Sequence, residues 1–542
     1  MSDVVIVGGG MAGLTAGSYL GKAGQTVHIL EKEQNIGGLV TSFERGGFVF
    51  DGGIRAIEDS GIVRPMLRQL GIELEFLTSG VSVGFGHDVI RLSGKASLEA
   101  YSQLLCRQFP DNVGDIAAII DEIERVMEYM DVLYGIDNPL FMDLKHNTPY
   151  VFGTILPWLF KYLLTMPKVA RLSMPVDEYL ARFTRNRALI DMIGQHFFKK
   201  TPTFFALSYF SLYLDYSYPR GGTGTLSSSL ADFVRGHGGT ITTGTEVVSV
   251  DPVARTVTDS AGVIHAYRKL IWAADCRALY RMLDLGSMSD QSVVVPIRTR
   301  AAQIADKHGG DSVFTVYLAV DQPPRCFSDI ASAHFFYTPV TTGLSALDQS
   351  DVQSGSPHRF TDDKEKFFAW MGRFIDLNTF EISCPALRDP TLAPPGKTGL
   401  IISLLMDHAL AHHAREQGWY EELKAFCSKR IVGLLDTSIF PGLAAAVLDS
   451  FVSTPLTLAE RTGNTDGAIT GWAFTNKPVP AVSSLPAVAS SVLTPIPDVY
   501  QAGQWTYSPS GLPISILTGK LAADRVLKDM GPDRHPARPD AG

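Results

Sequence analysis

The residues best suited to chemistry stand at the head of the chain. Gly8, Gly10 and Gly13 form G-x-G-x-x-G within VVIVGGGMAGL, and an acid, Glu31, follows about 20 residues on. Gly8 permits a tight turn, Gly10 lets backbone approach a pyrophosphate, and Gly13 lets a helix lie close against a strand. Met11 and Ala12 complete the turn, so the N–H groups and partial positive charge of a helix N-terminus face the phosphates. Glu31, with Lys32 beside it, ends a second strand where an acid accepts hydrogen bonds from a ribose. This is the chemistry of a dinucleotide site. It needs strand, turn, helix and strand, in that order, to present it.

The local pattern supplies those elements. A hydrophobic strand starts at Asp3, a small-residue helix follows the glycines, and TVHIL reads as the second strand. Beyond Glu31 the chain does not enter another βαβ unit. It passes through the pair Gly37-Gly38 and then GGFVFDGG, Gly46 to Gly53, which reads as a glycine loop and a short hairpin. Further on, Tyr218 to Val250 reads as loop, helix, turn and strand, with Leu226, Leu230 and Phe233 on one helical face. Lys269 to Leu283 fits a buried strand followed by a helix. Asp498 to Leu527 fits a strand, a turn at Gly503, a loop and a helix from about Leu512.

Together these blocks resemble the FAD-binding parts of the flavin amine oxidase superfamily, and within it the phytoene desaturase, carotenoid isomerase and retinol saturase group. The resemblance implies FAD and an α/β fold. A Rossmann-like FAD-binding domain, discontinuous over 1–75, 216–285 and 490–530, is expected beside an α+β substrate domain over 76–215 and 286–489. The latter should hold a mixed sheet and a helical cap, and 531–542 should be a disordered tail. Carried over residue by residue, the resemblance implies FAD contacts from Gly37, Gly38 and Leu39, from Gly53 and Ile54, from the backbone of Val248, and from Gly503, Gly511, Leu512 and Pro513. Leu39 stands where the desaturases often carry arginine, and Ile54 where proline or histidine is usual. The implied activity is hydride exchange with flavin N5 at C–C or C=C bonds of a long apolar isoprenoid or polyene lipid, by desaturation, saturation or isomerisation. An amine-oxidase-like enzyme acting on a smaller polar substrate is the alternative. A non-catalytic lipid carrier, as in the Rab GDP-dissociation inhibitors, is a third use of the same fold.

Outside these blocks the signals are coarser. The run from His196 to Pro219 is rich in aromatics, and Phe205, Tyr209, Tyr213 and Tyr216 read either as core or as the lining of an apolar pocket. His196, Asp215 and Arg220 are conceivable proton or charge partners, although each also suits a purely structural role. Residues 150–172 are apolar and aromatic but broken by Pro157, Lys161 and Pro167, too interrupted to span a bilayer. They fit peripheral membrane contact, a lid, or ordinary core helices. Ala333–Pro339 and Asp466–Phe474 read as strands of the substrate-domain sheet.

The 542 residues carry a formal net charge of -9, which argues against nucleic acid as a partner. Five scattered cysteines offer neither a disulfide framework nor a metal site. With no signal-peptide pattern ahead of the first strand, the expected location is cytoplasmic, peripheral on the inner face of a membrane where 150–172 makes contact. The expected partner is an apolar small molecule, and nothing in the sequence sets an oligomeric state.

Overall fold

The computed structural model describes residues 2–94, 96–144, 147–286, 288–353 and 359–531. Of the predicted tail, 532–542 lie outside the described residues. The chain divides into two compact units: Met1–Gly38, Ser227–Asp306 and Pro480–Gly542 form the first, and Leu39–Leu226 and Lys307–Val479 the second.

In the first unit, strand Ser2–Val7 pairs in parallel with Val27–Leu30 on one side and Ile264–Trp272 on the other. Thr240–Thr242 and Val499–Gln501 extend this parallel core outward. Val247–Asp251 and Thr256–Asp259 add an antiparallel flap to the far end of Ile264–Trp272. Central parallel strands are covered on both faces, so they read as unbroken apolar runs. Val4, Val5, Ile6, Leu270 and Ile271 are indeed fully buried. Helix Met11–Lys22 is almost entirely buried because its residues are small. The terminal helix Leu512–Met530 approaches it so closely that a Cβ on Gly519 would lie 2.4 Å from the Ala12 carbonyl oxygen.

The second unit is built on a seven-stranded mixed sheet ordered Val447–Ser453, Ser312–Val320, Thr398–Met406, Phe380–Ser383, His334–Thr338, Val81–Phe85 and Asp88–Leu92. Only His334–Thr338 and Val81–Phe85 run parallel. One cluster of buried side chains joins the sheet to helices Lys364–Asp376 and Tyr420–Ser438. Another joins Val81, Val83 and Phe85 to helices Ser97–Gln108, Val113–Tyr134, Arg187–Gly194 and Thr203–Leu214. The hairpin Ser42–Arg45/Phe48–Asp51 sets Phe48 and Phe50 against Tyr317 and Ile401 of this sheet. Residues 39–75, expected with the nucleotide, therefore pack with the second unit.

Two readings change. Asp466–Phe474 is not a strand. It begins with a 3-10 turn at Thr465–Gly467, where Asp466 adopts φ 58°, and contributes only one bridge, from Trp472 to Gly309. On helix Gly224–Gly236 the fully buried face is Leu226, Leu230 and Val234, whereas Phe233 is half-buried and stacks on His237.

Candidate functional site

Backbone makes the first site. Gly8 has φ 105°, and a Cβ there would lie 2.6 Å from the Ala273 carbonyl oxygen. A Cβ on Gly13 would lie 2.0 Å from the Gly8 carbonyl oxygen, so this helix start tolerates no side chain. Gly10 differs, because its Cβ would meet nothing within 4 Å. That open space sits at the N-cap of Met11–Lys22, a helix start with neither a side-chain cap nor an acid in its first turn. Such a start offers N–H groups and positive potential to an anion.

The second glycine loop closes over the first. Gly37 N–H donates to the Gly9 carbonyl at 2.8 Å, and a Cβ on Gly38 would lie 3.4 Å from the Gly10 Cα. Glu31 fixes the same loop: its Oε2 accepts from Gly9 N–H at 2.7 Å and its Oε1 from Glu33 N–H at 2.8 Å. Burial pushes the Glu31 carboxyl above its ordinary value against the pull of these two donors. A carboxylate has about four lone-pair sites, so capacity for a ribose hydroxyl remains. Lys32, alongside, is half-buried.

Elsewhere in this unit, Gly503 N–H donates to Thr518 Oγ1 at 2.9 Å. Gly511 is the N-cap of the terminal helix, again without a side-chain cap, and Leu512 and Pro513 open that helix. Val248 is 45% exposed and lies at a register shift in its strand pairing, where its backbone is outside the ladder. In the second unit, Ile54 N–H donates to the Leu39 carbonyl at 3.0 Å, and a Cβ on Gly53 would collide with that same carbonyl.

The second unit also holds a pocket between its sheet and its helical layer. Its walls are apolar and aromatic, with Phe85, Met192, Phe210 and Phe336 among them, and His196, Tyr209 and Tyr213 also line it. Tyr209 and Tyr213, four residues apart and so on one face, belong to helix Thr203–Leu214. Phe205 and Tyr216 stand one ring behind, Phe205 edge-on to Tyr209 at 5.3 Å and Tyr216 edge-on to Tyr213 at 5.7 Å. His196 Nε2 lies 3.0 Å from the Tyr213 hydroxyl. Burial lowers the His196 pKa to about 4, so the ring is neutral near pH 7.

Charged groups surround the aromatic helix, and apart from Asp215 and Arg220 the sequence reading missed them. Burial, reinforced by the charge of Asp215, raises the Glu58 carboxyl to about 7, and Tyr134, Tyr209 and Tyr216 feel its charge. Asp215 is exposed, and its Oδ2 accepts from Asp59 N–H at 3.2 Å. His334 Nε2 lies 3.1 Å from Glu381 Oε1, and the His334 ring is 5.2 Å from that of Tyr216. Burial pushes the His334 pKa below its ordinary value, against the pull of Glu381. Burial opposes the Glu381 charge, yet His334, Arg55 and Arg388 together hold that carboxyl below its ordinary value. Asp51, fully buried, accepts from Ser42 Oγ, Thr223 Oγ1 and Tyr218 OH, tying the hairpin to the loop that follows Tyr218. None of these acids and bases is spaced in sequence as a motif. Arg220, by contrast, is a surface residue paired with Glu75 through two bonds of 2.6 and 2.7 Å.

A sequence profile described as "Flavin containing amine oxidoreductase" matches residues 11–527, nearly the whole chain. The chain belongs to this family. Among curated proteins, the 4,4'-diapophytoene desaturase (4,4'-diaponeurosporene-forming) of Staphylococcus aureus strain COL is 22% identical over 97% of this chain and 99% of its own. Among solved structures, putrescine oxidase bound to putrescine matches with TM-score 0.57 at 14% identity, covering 97% of this chain and 98% of that one. Cyclohexylamine oxidase from Brevibacterium oxydans IH-35A matches at 0.53 and 14%, covering 98% and 99%. Reduced UDP-galactopyranose mutase matches at 0.57 and 15%, covering 97% and 94%. The protein is an FAD-dependent oxidoreductase of the amine oxidase superfamily. The open space at Gly10, the two uncapped helix starts and the Glu31-braced loop suit that cofactor's diphosphate and ribose.

Proposed function

We propose that this flavoenzyme removes hydrogen from C–C bonds of a long, apolar polyene or isoprenoid. The observation that carries the proposal is the cavity, with its aliphatic and aromatic walls and a neutral His196–Tyr213 pair as polar furniture. An unactivated C–C bond offers no polar handle, so a site for it must orient by shape and exclude water. The whole-length likeness to a diapophytoene desaturase supports the same reading.

Bound FAD supplies the two-electron acceptor. In this proposal Gly8, Gly10, Met11, Ala12, Gly13, Gly37 and Gly38 hold its diphosphate, Glu31 and Lys32 its ribose, and the Val248 backbone its adenine. Gly503, Gly511, Leu512 and Pro513 serve its ring end. The chain must also accept the proton that leaves with the hydride. Glu58 suits that role, since a carboxyl poised near neutrality takes and returns a proton at working pH. Tyr209, which feels the Glu58 charge, and Tyr213 line the pocket.

The test is anaerobic mixing of FAD-loaded protein with 4,4'-diapophytoene in detergent, read as loss of the oxidised flavin absorbance. Bleaching by the polyene and none by putrescine is expected. Bleaching by putrescine alone would sink the proposal in favour of an amine oxidase.

A further inference from the structure

Residues 148–170 form one helical run: a short turn at Thr148–Tyr150, a π-turn at Val151–Ile155 and a helix over Leu156–Ala170. Its amphipathicity is inverted. Phe152, Leu156, Leu159, Phe160, Leu163 and Leu164 are 40–67% exposed. Their spacing of i, i+4, i+7, i+8, i+11 and i+12 puts all six on one face. The opposite face holds the helix to its own unit: Trp158 Nε1 donates to the Val132 carbonyl at 2.6 Å, and Thr165 is buried. A surface helix normally turns its apolar stripe inward, and so large an exposed patch marks a binding surface.

The charges say what covers it. Between Thr148 and Arg171 the chain has Lys161, Lys168 and Arg171 and no acid, within a protein of net charge -9. All three cations are exposed. Lys161 and Lys168 are seven residues apart, on the same edge of the apolar stripe, where long side chains can reach headgroups while the stripe enters the acyl layer. A second copy fits poorly, because an isologous contact would bring three more cations to a segment that has no acid to pair with them. No helix among the described residues is long and apolar enough to cross a membrane.

We propose that this face lies in the surface of a bilayer containing anionic lipid, with the helix parallel to the membrane plane. The proposal is independent of the substrate, so the test uses vesicles without one. FAD-loaded protein is floated with phosphatidylcholine vesicles and with vesicles containing about a third phosphatidylglycerol. Wild type should rise with both, more strongly with the anionic ones. Phe160→Ser/Leu163→Ser should lower partitioning at least tenfold on both compositions. Lys161→Gln/Lys168→Gln should lower it only on the anionic vesicles. Retained flavin absorbance shows that each variant is folded. Flotation of the serine variant equal to wild type overturns the proposal, as does a wild type that stays with the lipid-free fraction. Concentration-dependent self-association that the serine substitutions abolish, with no flotation, assigns the face to a second copy and overturns it too.

Discussion

The nucleotide-binding unit and the cavity-bearing unit solve the recognition problem in opposite ways. The first builds its site from main chain: two helix starts, two glycine loops and one carboxylate that braces them. The second builds from side chains gathered across the sequence, with Glu58, His196, Tyr213, His334 and Glu381 brought near one another by a sheet and a helical layer. Main-chain sites demand residues that lack a side chain, at fixed spacing. Side-chain sites demand only that volume and polarity agree in three dimensions. The first should therefore fail abruptly on adding one methyl group, while the second should change by degrees.

The sharpest way to break this comparison is Gly13→Ala, which forces Cβ to within 2.0 Å of the Gly8 carbonyl oxygen. A loss of about 3 kcal/mol or more is expected, seen as a lower melting temperature together with purified protein that is colourless. Gly10→Ala separates folding from binding, since its Cβ meets nothing within 4 Å. Its stability without FAD should fall by about 1 kcal/mol or less, seen as a small drop in melting temperature, while FAD affinity falls at least tenfold by equilibrium dialysis.

In the cavity-bearing unit, Glu58 gives a graded, pH-dependent effect. Its carboxyl stands near 7 when folded against an ordinary value of 4.5. The folded state therefore holds a proton that the unfolded state has lost, and stability declines as pH rises from about 4.5 through 7. At 1.36 kcal/mol per unit, the span is about 3 kcal/mol. Glu58→Gln should flatten that decline in denaturant titrations between pH 5 and 8. Asp215→Asn removes a like charge, so Glu58 should titrate lower and the acidic limb of the pH–rate profile should move to lower pH. Tyr213→Phe deletes the partner of His196 and should cost about 1 kcal/mol, with activity reduced rather than abolished. Arg220→Ala, at an exposed ion pair, should leave turnover unchanged.

The same contrast explains what the sequence disclosed. Strand, turn, helix and acid at Val4–Glu31 were legible because the backbone geometry admits only glycine at Gly8 and Gly13. The helix start at Leu512 was legible from its preceding glycine and the proline that follows. The acids around the aromatic helix were not. Asp51, Glu58, Glu381 and Arg388 have no common spacing, and their neighbourhood exists only once strands about 300 residues apart share a sheet, as Val81–Phe85 and Phe380–Ser383 do on either side of His334–Thr338. Asp466–Phe474 misled because its apolar residues suited a strand, while the local backbone turns at Asp466. The outward face of Leu156–Ala170 was invisible for a related reason: periodicity reveals a stripe but not which way it points.

The most direct measurement is an anaerobic single turnover of FAD-loaded protein with 4,4'-diapophytoene, with the lipid recovered and weighed by mass spectrometry. The account predicts one pair of hydrogens lost from the polyene for each flavin reduced, and a rate that falls with the Glu58→Gln change. Flavin that stays oxidised beside unchanged polyene, while a primary amine reduces it, would contradict the account.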